Sequence, residues 1–159
     1  MVEFKKLKIL IVEDDYLVTD MIKRTLTDLG MSDFIEAANG KQAIKMVIRS
    51  NPDLVIMDIE MPEMNGIEAT RQIQKRCPTP IIILSAFETA ELIQQASEAG
   101  ASAYLLKPMK KHLVEKSIVV ALARHKDLMM LLKLNRELDQ KNLQLKKLNR
   151  QLKAKNDEL

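Results

Sequence analysis

Residues 54–76 read LVIMDIEMPEMNGIEATRQIQKR, and their pattern is the most informative in the chain for predicting its structure. It opens with a short apolar run at residues 54–57, which is typical of a buried strand. A turn containing Pro, Asn and Gly follows, and residues 67–76 then show the apolar spacing of a helix. The stretch therefore predicts one unit of strand, turn and helix.

Four more units of this kind lie around it. The other predicted strands are short apolar runs at residues 8–12, 34–37, 81–84 and 103–106. Helical spacing occurs at residues 17–29, 41–49 and 90–99 and from Lys110 onward, and we predict Gly30 and Gly100 as C-caps. Strands that are apolar along their whole length are usually covered on both faces. We therefore predict an α/β fold with a doubly wound, five-stranded parallel sheet.

The composition changes near Arg124. Hydrophobic residues make up 47% of the 159 residues and charged residues 30%, which is a globular balance. Residues 1–123 contain 15 Lys/Arg and 17 Asp/Glu, whereas residues 124–159 contain 10 and 5 and have no Gly, Pro or aromatic residue. We expect one domain over residues 1–123 and a single long helix over residues 124–159.

Several classes of protein are excluded by composition. No stretch reaches the roughly 18 uncharged apolar residues that a membrane span needs. The single Cys77 cannot form an internal disulfide, and no Cys/His cluster has the spacing of a zinc site. We therefore expect a cytoplasmic protein that does not associate with membranes.

Polar residues follow four of the predicted strands. They are Glu13, Asp14 and Asp15 after the first strand, Asp58 after the third, Ser85 after the fourth and Lys107 after the fifth. The carboxyl ends of parallel strands lie at one edge of the sheet, where ligands bind. Crowded carboxylates repel each other unless a cation lies among them, and oxygen ligands without His or Cys select Mg²⁺. A lysine and a hydroxyl beside them suit an anion such as a phosphoryl group.

Each of these residues also has an ordinary structural interpretation. Acids after a strand often cap the next helix, a serine often bonds its local backbone, and a lysine is usually solvated. The combination of four suitable residue types at four strand ends favours a functional site.

The segments ILIVEDD, VIMDIEMPEMNGIE, IIILSA and AYLLKP resemble those of the receiver domain of two-component response regulators. The resemblance covers residues 5 to about 123. It implies a flavodoxin-like fold with strand order 2-1-3-4-5. It also implies that Asp58 accepts a phosphoryl group from a histidine kinase or a phosphotransfer protein. Such a domain catalyses only its own phosphorylation and dephosphorylation, so we expect no other enzymatic activity.

The resemblance also implies roles for individual residues. Lys107 contacts the phosphoryl group, and the Lys107–Pro108 peptide bond is expected to be cis. Ser85 and Tyr104 form the switch that responds to phosphorylation. The Mg²⁺ ligands are expected to be Asp14 and Asp58, with Glu13 acting through water and Glu60 through its backbone carbonyl.

The tail shows a heptad pattern of leucines. They lie at positions 131, 138, 145, 152 and 159. If these leucines occupy d positions, the a positions are Leu128 and then Asn135, Asn142, Asn149 and Asn156. If they occupy a positions, the d positions are Leu134, Lys141, Leu148 and Lys155. Both registers remain open, and either predicts a parallel homodimer through residues 128–159.

The tail also carries a net charge of +5. We expect no nucleic-acid binding by this chain, because the basic residues are accompanied by five acids and no aromatic residue. The heptads run to Leu159 without a cap, so we expect an output domain to follow, which could itself bind nucleic acid. The alternative is a degenerate receiver that works only as a coiled-coil scaffold.

Overall fold

The computed structural model describes residues 3–159. After a single 3₁₀ turn at Phe4–Lys6, strands and helices alternate. The strands are β1 (Lys8–Val12), β2 (Asp33–Ala37), β3 (Leu54–Asp58), β4 (Ile81–Ser85) and β5 (Ala103–Leu106). The helices are α1 (Tyr16–Asp28), α2 (Gly40–Ser50), α3 (Gly66–Arg76), α4 (Ala90–Ala99) and α5 (Lys111–Asp157).

The five strands form one parallel sheet in the order β2-β1-β3-β4-β5. The predicted flavodoxin-like fold is therefore confirmed. The central strands β3 and β4 are buried along their whole length, as their continuous apolar sequences predict. The edge strand β2 is mostly exposed or half-buried. Because the strand order reverses between β1 and β3, a crevice opens at the carboxyl ends of these strands.

The side chains of each strand alternate between two apolar clusters. Leu10 of β1 and Val55 of β3 pack with residues of α2, α3 and α4 on one face of the sheet. Ile9 and Ile56 pack with residues of α1 and α5 on the other face. Helices on both faces make the sheet doubly wound, as predicted, and hold the strand ends in fixed positions.

Of the two predicted glycine C-caps, one is confirmed and the other is shifted by one residue. Gly100, at φ 99°, is the C-cap of α4 as predicted. Gly30 was predicted to cap α1, but the C-cap is Leu29, which still has right-handed helical dihedrals. Gly30, at φ 95°, is the next residue and adopts the left-handed conformation that reverses the chain. The helix therefore ends one residue earlier than its sequence pattern suggests.

The chain divides into two compact units, one ending at His125 and the other comprising Lys126–Leu159. In the first unit, α5 buries Val114, Ile118 and Ala121. In the second unit, Met129 and Leu132 are half-buried, and every residue from Lys133 onward is exposed. Among residues 3–159, no helix has the length and the apolar character that crossing a membrane requires.

Candidate functional site

The sheet brings three carboxylates together at its carboxyl edge. Glu13 and Asp14 directly follow β1, and Asp58 is the last residue of the neighbouring strand β3. One carboxylate oxygen from each of the three lies within 4.8 Å of the others. Glu13 and Asp58 are buried, whereas Asp14 is exposed. Hard oxygen donors this close together fit a divalent cation such as Mg²⁺.

Lys107 lies opposite these carboxylates, directly after β5. Its Nζ donates a hydrogen bond to Glu13 Oε2 at 2.8 Å and lies 3.2 Å from Asp58 Oδ1. The side chains of Glu13 and Asp58 are 1% and 7% exposed, and that of Lys107 is 24% exposed. The Lys107–Pro108 peptide bond is cis, as expected. A single lysine therefore contacts two acids that are almost fully withdrawn from water.

Burial is the largest single influence on the pKa of each group in this cluster, and it sets the direction of the shift for the two acids. Desolvation raises the pKa of Glu13, while the hydrogen bond from Lys107 opposes the rise and repulsion from Asp58 adds to it. Desolvation also raises the pKa of Asp58, again opposed by Lys107. Burial by itself lowers the pKa of Lys107, but the bond to Glu13 and the charges of both acids outweigh it and raise that pKa. One lysine does not compensate three carboxylates, so the site favours a further cation.

The loop after β3 fixes the position of Asp58. Asp58 Oδ1 accepts a hydrogen bond of 2.9 Å from the Ile59 backbone amide. The Gly66 amide donates a 2.9 Å bond back to the Ile59 carbonyl, so the start of α3 lies against the end of β3. A Cβ on Gly66 would lie 1.9 Å from the carbonyl oxygen of Asp58. Only glycine allows this approach, a requirement that the sequence pattern alone did not reveal.

Ser85 and Tyr104 are connected through the backbone of Phe87. The Phe87 amide donates a 3.1 Å hydrogen bond to Ser85 Oγ, and Tyr104 OH donates a 2.5 Å bond to the Phe87 carbonyl. Ser85 is buried, Tyr104 is half-buried and the Phe87 side chain is exposed. Sequence reasoning missed this connection because a backbone contact places no constraint on which side chain Phe87 carries.

Two other predicted positions lie at the margin of the cluster. The Asp15 side chain accepts a 2.8 Å bond from the Leu17 amide and caps α1, so it serves the structural role that acids after a strand often have. Glu60 is exposed in the loop after Asp58. The role of its carbonyl as a metal ligand stays a prediction.

Comparison with known proteins identifies the fold and the family. Residues 9–119 match the family described as the response regulator receiver domain. The chain belongs to this family. The receiver domain is 35% identical over 121 residues to the transcriptional regulatory protein PdtaR of Mycobacterium tuberculosis. The alignment covers 76% of this chain and 59% of PdtaR. It is 39% identical over 100 residues to a protein-glutamate methylesterase/protein-glutamine glutaminase of Haloarcula marismortui, covering 62% and 27% of the two chains.

A solved structure supports the same conclusion. The BeF3-activated N-terminal receiver domain of Klebsiella pneumoniae RstA superposes with a TM-score of 0.67 at 30% identity, and the match covers 72% of this chain and 97% of that domain. The prediction of a two-component receiver domain is thereby confirmed. The chain spans less than two thirds of either curated relative, and one of these is a regulator and the other an enzyme. The family match therefore concerns the receiver domain alone, because the relatives differ in activity outside it.

Proposed function

We propose that Asp58 accepts a phosphoryl group and that this domain works as a phosphorylation switch. The observation that carries the proposal is the contact of Lys107 Nζ with both Glu13 and Asp58, in a cluster where Asp14 adds a third carboxylate. A carboxylate nucleophile beside a cation and a metal-binding group is the arrangement that phosphoryl transfer requires.

The transfer would take place at the carboxyl edge of the sheet. An Asp58 carboxylate oxygen attacks the phosphorus of a phosphohistidine on a histidine kinase or a phosphotransfer protein. The new O–P bond forms as the P–N bond breaks, and the imidazole leaves with the electron pair and takes up a proton. Lys107, within 3.2 Å of Asp58, compensates negative charge on the transferred oxygens.

The donor set fits Mg²⁺, which would supply charge neutralisation at the phosphoryl oxygens. Asp14 and Asp58 would hold it directly, Glu13 through water and Glu60 through its carbonyl. Asp14 suits direct binding because its side chain is exposed and can adjust its position to the ion. Glu13, in contrast, is buried and already hydrogen-bonded to Lys107. In the absence of a cation the raised pKa values of Glu13 and Asp58 disfavour their charged forms, so a bound cation would favour the attacking carboxylate.

We further propose that Ser85 and Tyr104 relay the phosphorylated state. Ser85 Oγ accepts a bond from the Phe87 amide, so its hydroxyl proton is free to be donated to a phosphoryl oxygen. A movement of Ser85 toward that oxygen would pull on Phe87, whose carbonyl is bonded to Tyr104. The alternative, a scaffold that no longer accepts a phosphoryl group, is less well supported because Asp58 lies in one carboxylate cluster with Asp14 and 3.2 Å from Lys107.

Phosphorylation with acetyl phosphate and Mg²⁺ tests this function. We expect intact-mass spectrometry to show one added phosphoryl group on the full chain and none on Asp58→Asn. Asp14→Ala keeps the acceptor but loses a cation ligand, so its rate should fall at least about tenfold and no longer depend on Mg²⁺. Modification of Asp58→Asn at the rate of the parent chain, or an unchanged rate in Asp14→Ala, would contradict the proposal.

The tail supports a second proposal, that two copies of the chain form a parallel homodimer. Its leucines at seven-residue spacing are each more than half exposed: Leu131 55%, Leu138 57%, Leu145 56% and Leu152 52%. Covering the exposed part of one leucine contributes on the order of 1 kcal/mol. The eight leucines of a pair are then comparable with the roughly 4 to 15 kcal/mol that association costs. Pairing along the helix is thus the arrangement that covers this surface.

Leu145→Lys should convert the dimer to a monomer. A charge in the middle of the leucine seam loses hydration without gaining a partner. We therefore expect the dimer dissociation constant, measured by sedimentation equilibrium, to rise at least about 100-fold. Leu143→Lys is the matched control, because Leu143 is equally exposed but lies outside both possible seams. Equal effects of the two substitutions would show that the seam does not form the interface.

A further inference from the structure

The tail leaves two registers open, and they predict different interfaces for the same helix. In the first, the leucines at positions 131, 138, 145 and 152 occupy a and Leu134 and Leu148 occupy d. In the second, the same leucines occupy d and asparagines fill the a positions. We propose that two copies pair in the first register, in parallel, over residues 131–159. This inference rests on the homodimer proposed above and assigns the surface through which it forms.

The number of leucine layers favours the first register. Between Leu131 and Leu159 each register has nine core layers, and the first register places leucine in seven of them. The second places leucine in five and asparagine in the other four. It would also leave Leu134 and Leu148 outside the core, although they are 53% and 51% exposed and equally available for burial. A single asparagine layer already lowers the stability of a coiled coil, so four successive ones disfavour the second register.

The flanking residues give an independent argument. In a parallel pair, a g residue contacts the e residue five positions later on the other helix. The first register makes these pairs Glu137–Asn142, Gln144–Asn149 and Gln151–Asn156, each able to form a hydrogen bond. These pairs explain the spacing of Asn142, Asn149 and Asn156 without placing any asparagine in the core.

The second register gives flanking pairs that do not match. They are Leu134–Asp139, Lys141–Lys146 and Leu148–Lys153. The first and last pairs each join an apolar residue to a charged one, and the two lysines of the middle pair repel each other. The five-residue spacing also favours parallel pairing. In an antiparallel pair g faces g and e faces e, so this spacing would have no role. Upstream, Leu128 would take an e position, which places the start of the seam at Leu131.

The first register has two weak layers, at Lys141 and Lys155. In a parallel pair each of these lysines faces its own copy at a d position, and the segment 140–156 contains six basic residues and no acid. Like charges on facing helices repel, and salt screens that repulsion. We therefore expect the dimer to be tighter at high salt than at low salt.

Two adjacent substitutions in the full chain separate the registers. Under the first register, Lys141→Leu replaces a repulsive core layer with leucine. The dimer dissociation constant, measured by sedimentation equilibrium, should then fall at least about tenfold. Asn142→Leu then alters a flanking e position and should change affinity less than about threefold. The reverse order of effects would establish the second register and overturn this assignment.

A cross-link tests orientation. In a Cys77→Ser background, Leu134→Cys should oxidise to a dimer, because only parallel, in-register helices bring the two copies of this position together. Failure to cross-link while the chain sediments as a dimer would indicate antiparallel pairing and overturn the inference, leaving the homodimer intact. If the parent chain and Lys141→Leu both sediment as monomers at every concentration, the homodimer itself is wrong and the register with it.

Discussion

Lys107→Met should destabilise the receiver domain by about 2 kcal/mol near neutral pH, since it leaves buried carboxylates without their cation. Lys107 Nζ contacts Glu13 and Asp58, whose side chains are almost fully buried. Breaking a buried ion pair costs up to about 5 kcal/mol, and the partial exposure of Lys107 reduces that cost. Methionine keeps most of the side-chain volume, so the lost charge rather than a cavity accounts for the effect.

The pH dependence of this variant follows from the direction of the pKa shifts. Burial already holds the pKa of both Glu13 and Asp58 above the ordinary values, and Lys107 opposes that rise. Without Lys107 both pKa values rise further, so the folded state binds protons more tightly than the unfolded state does. The protonated acids then favour folding at low pH, and this contribution is lost as the pH rises through the folded-state pKa values. We therefore expect the loss in free energy of unfolding, relative to the parent chain, to be largest at about pH 8 and to shrink toward about pH 4.

Urea unfolding of the full chain at several pH values, with and without Mg²⁺, provides the measurement. Mg²⁺ should restore part of the lost stability, because it replaces the missing positive charge. Adding Asp58→Asn to Lys107→Met should also restore stability, because it removes one of the unpaired charges. A deficit that is independent of pH and of Asp58 would mean that Lys107 contributes through packing and not through its charge.

The sheet was predictable because its strands have a simple physical signature. β3 and β4 are buried on both faces, so nearly every position must be apolar, and their sequences contain little else. β2 lies at an edge and is only partly buried, yet its short apolar core at residues 34–37 sufficed to find it. Once the strands are placed, parallel order brings the residues after each strand to one edge, so the cluster of Glu13, Asp14, Asp58 and Lys107 follows from topology.

Other features of the site depend on contacts that no local pattern encodes. The hydrogen bond between Glu13 and Lys107 joins residues 94 positions apart, and the sequence does not reveal that this lysine reaches the buried acid. Asp15 has the same chemistry as Asp14, but it caps α1 while Asp14 belongs to the carboxylate cluster. The link from Ser85 to Tyr104 passes through the backbone of Phe87. These contacts are set by three-dimensional packing, which composition and periodicity do not specify.

Gly66→Ala should be among the most damaging small substitutions in the receiver domain, costing about 3 kcal/mol or more. The new Cβ would lie 1.9 Å from the Asp58 carbonyl oxygen and 2.8 Å from the Asp58 carbonyl carbon and Met57 Cγ. Neither side can move easily, because Asp58 is the last residue of the central strand β3 and the Gly66 amide is bonded to the Ile59 carbonyl. Relief requires that α3 retreat or that Asp58 shift, and either change disturbs the site.

The effect on function should follow the effect on structure. A displaced Asp58 loses its distance to Lys107 and to the other carboxylates, so phosphorylation by acetyl phosphate should fall at least about tenfold even where the variant remains folded. Gly30→Ala is the control: its φ of 95° strains any other residue, but the nearest atom to a new Cβ is Lys5 Cγ at 4.0 Å. That variant should lose only about 1 to 2 kcal/mol and retain the parent rate of phosphorylation. Equal losses of stability in the two variants, measured by urea unfolding, would contradict this expectation. They would show that α3 is farther from Asp58 than the 1.9 Å between a Gly66 Cβ and the Asp58 carbonyl oxygen implies.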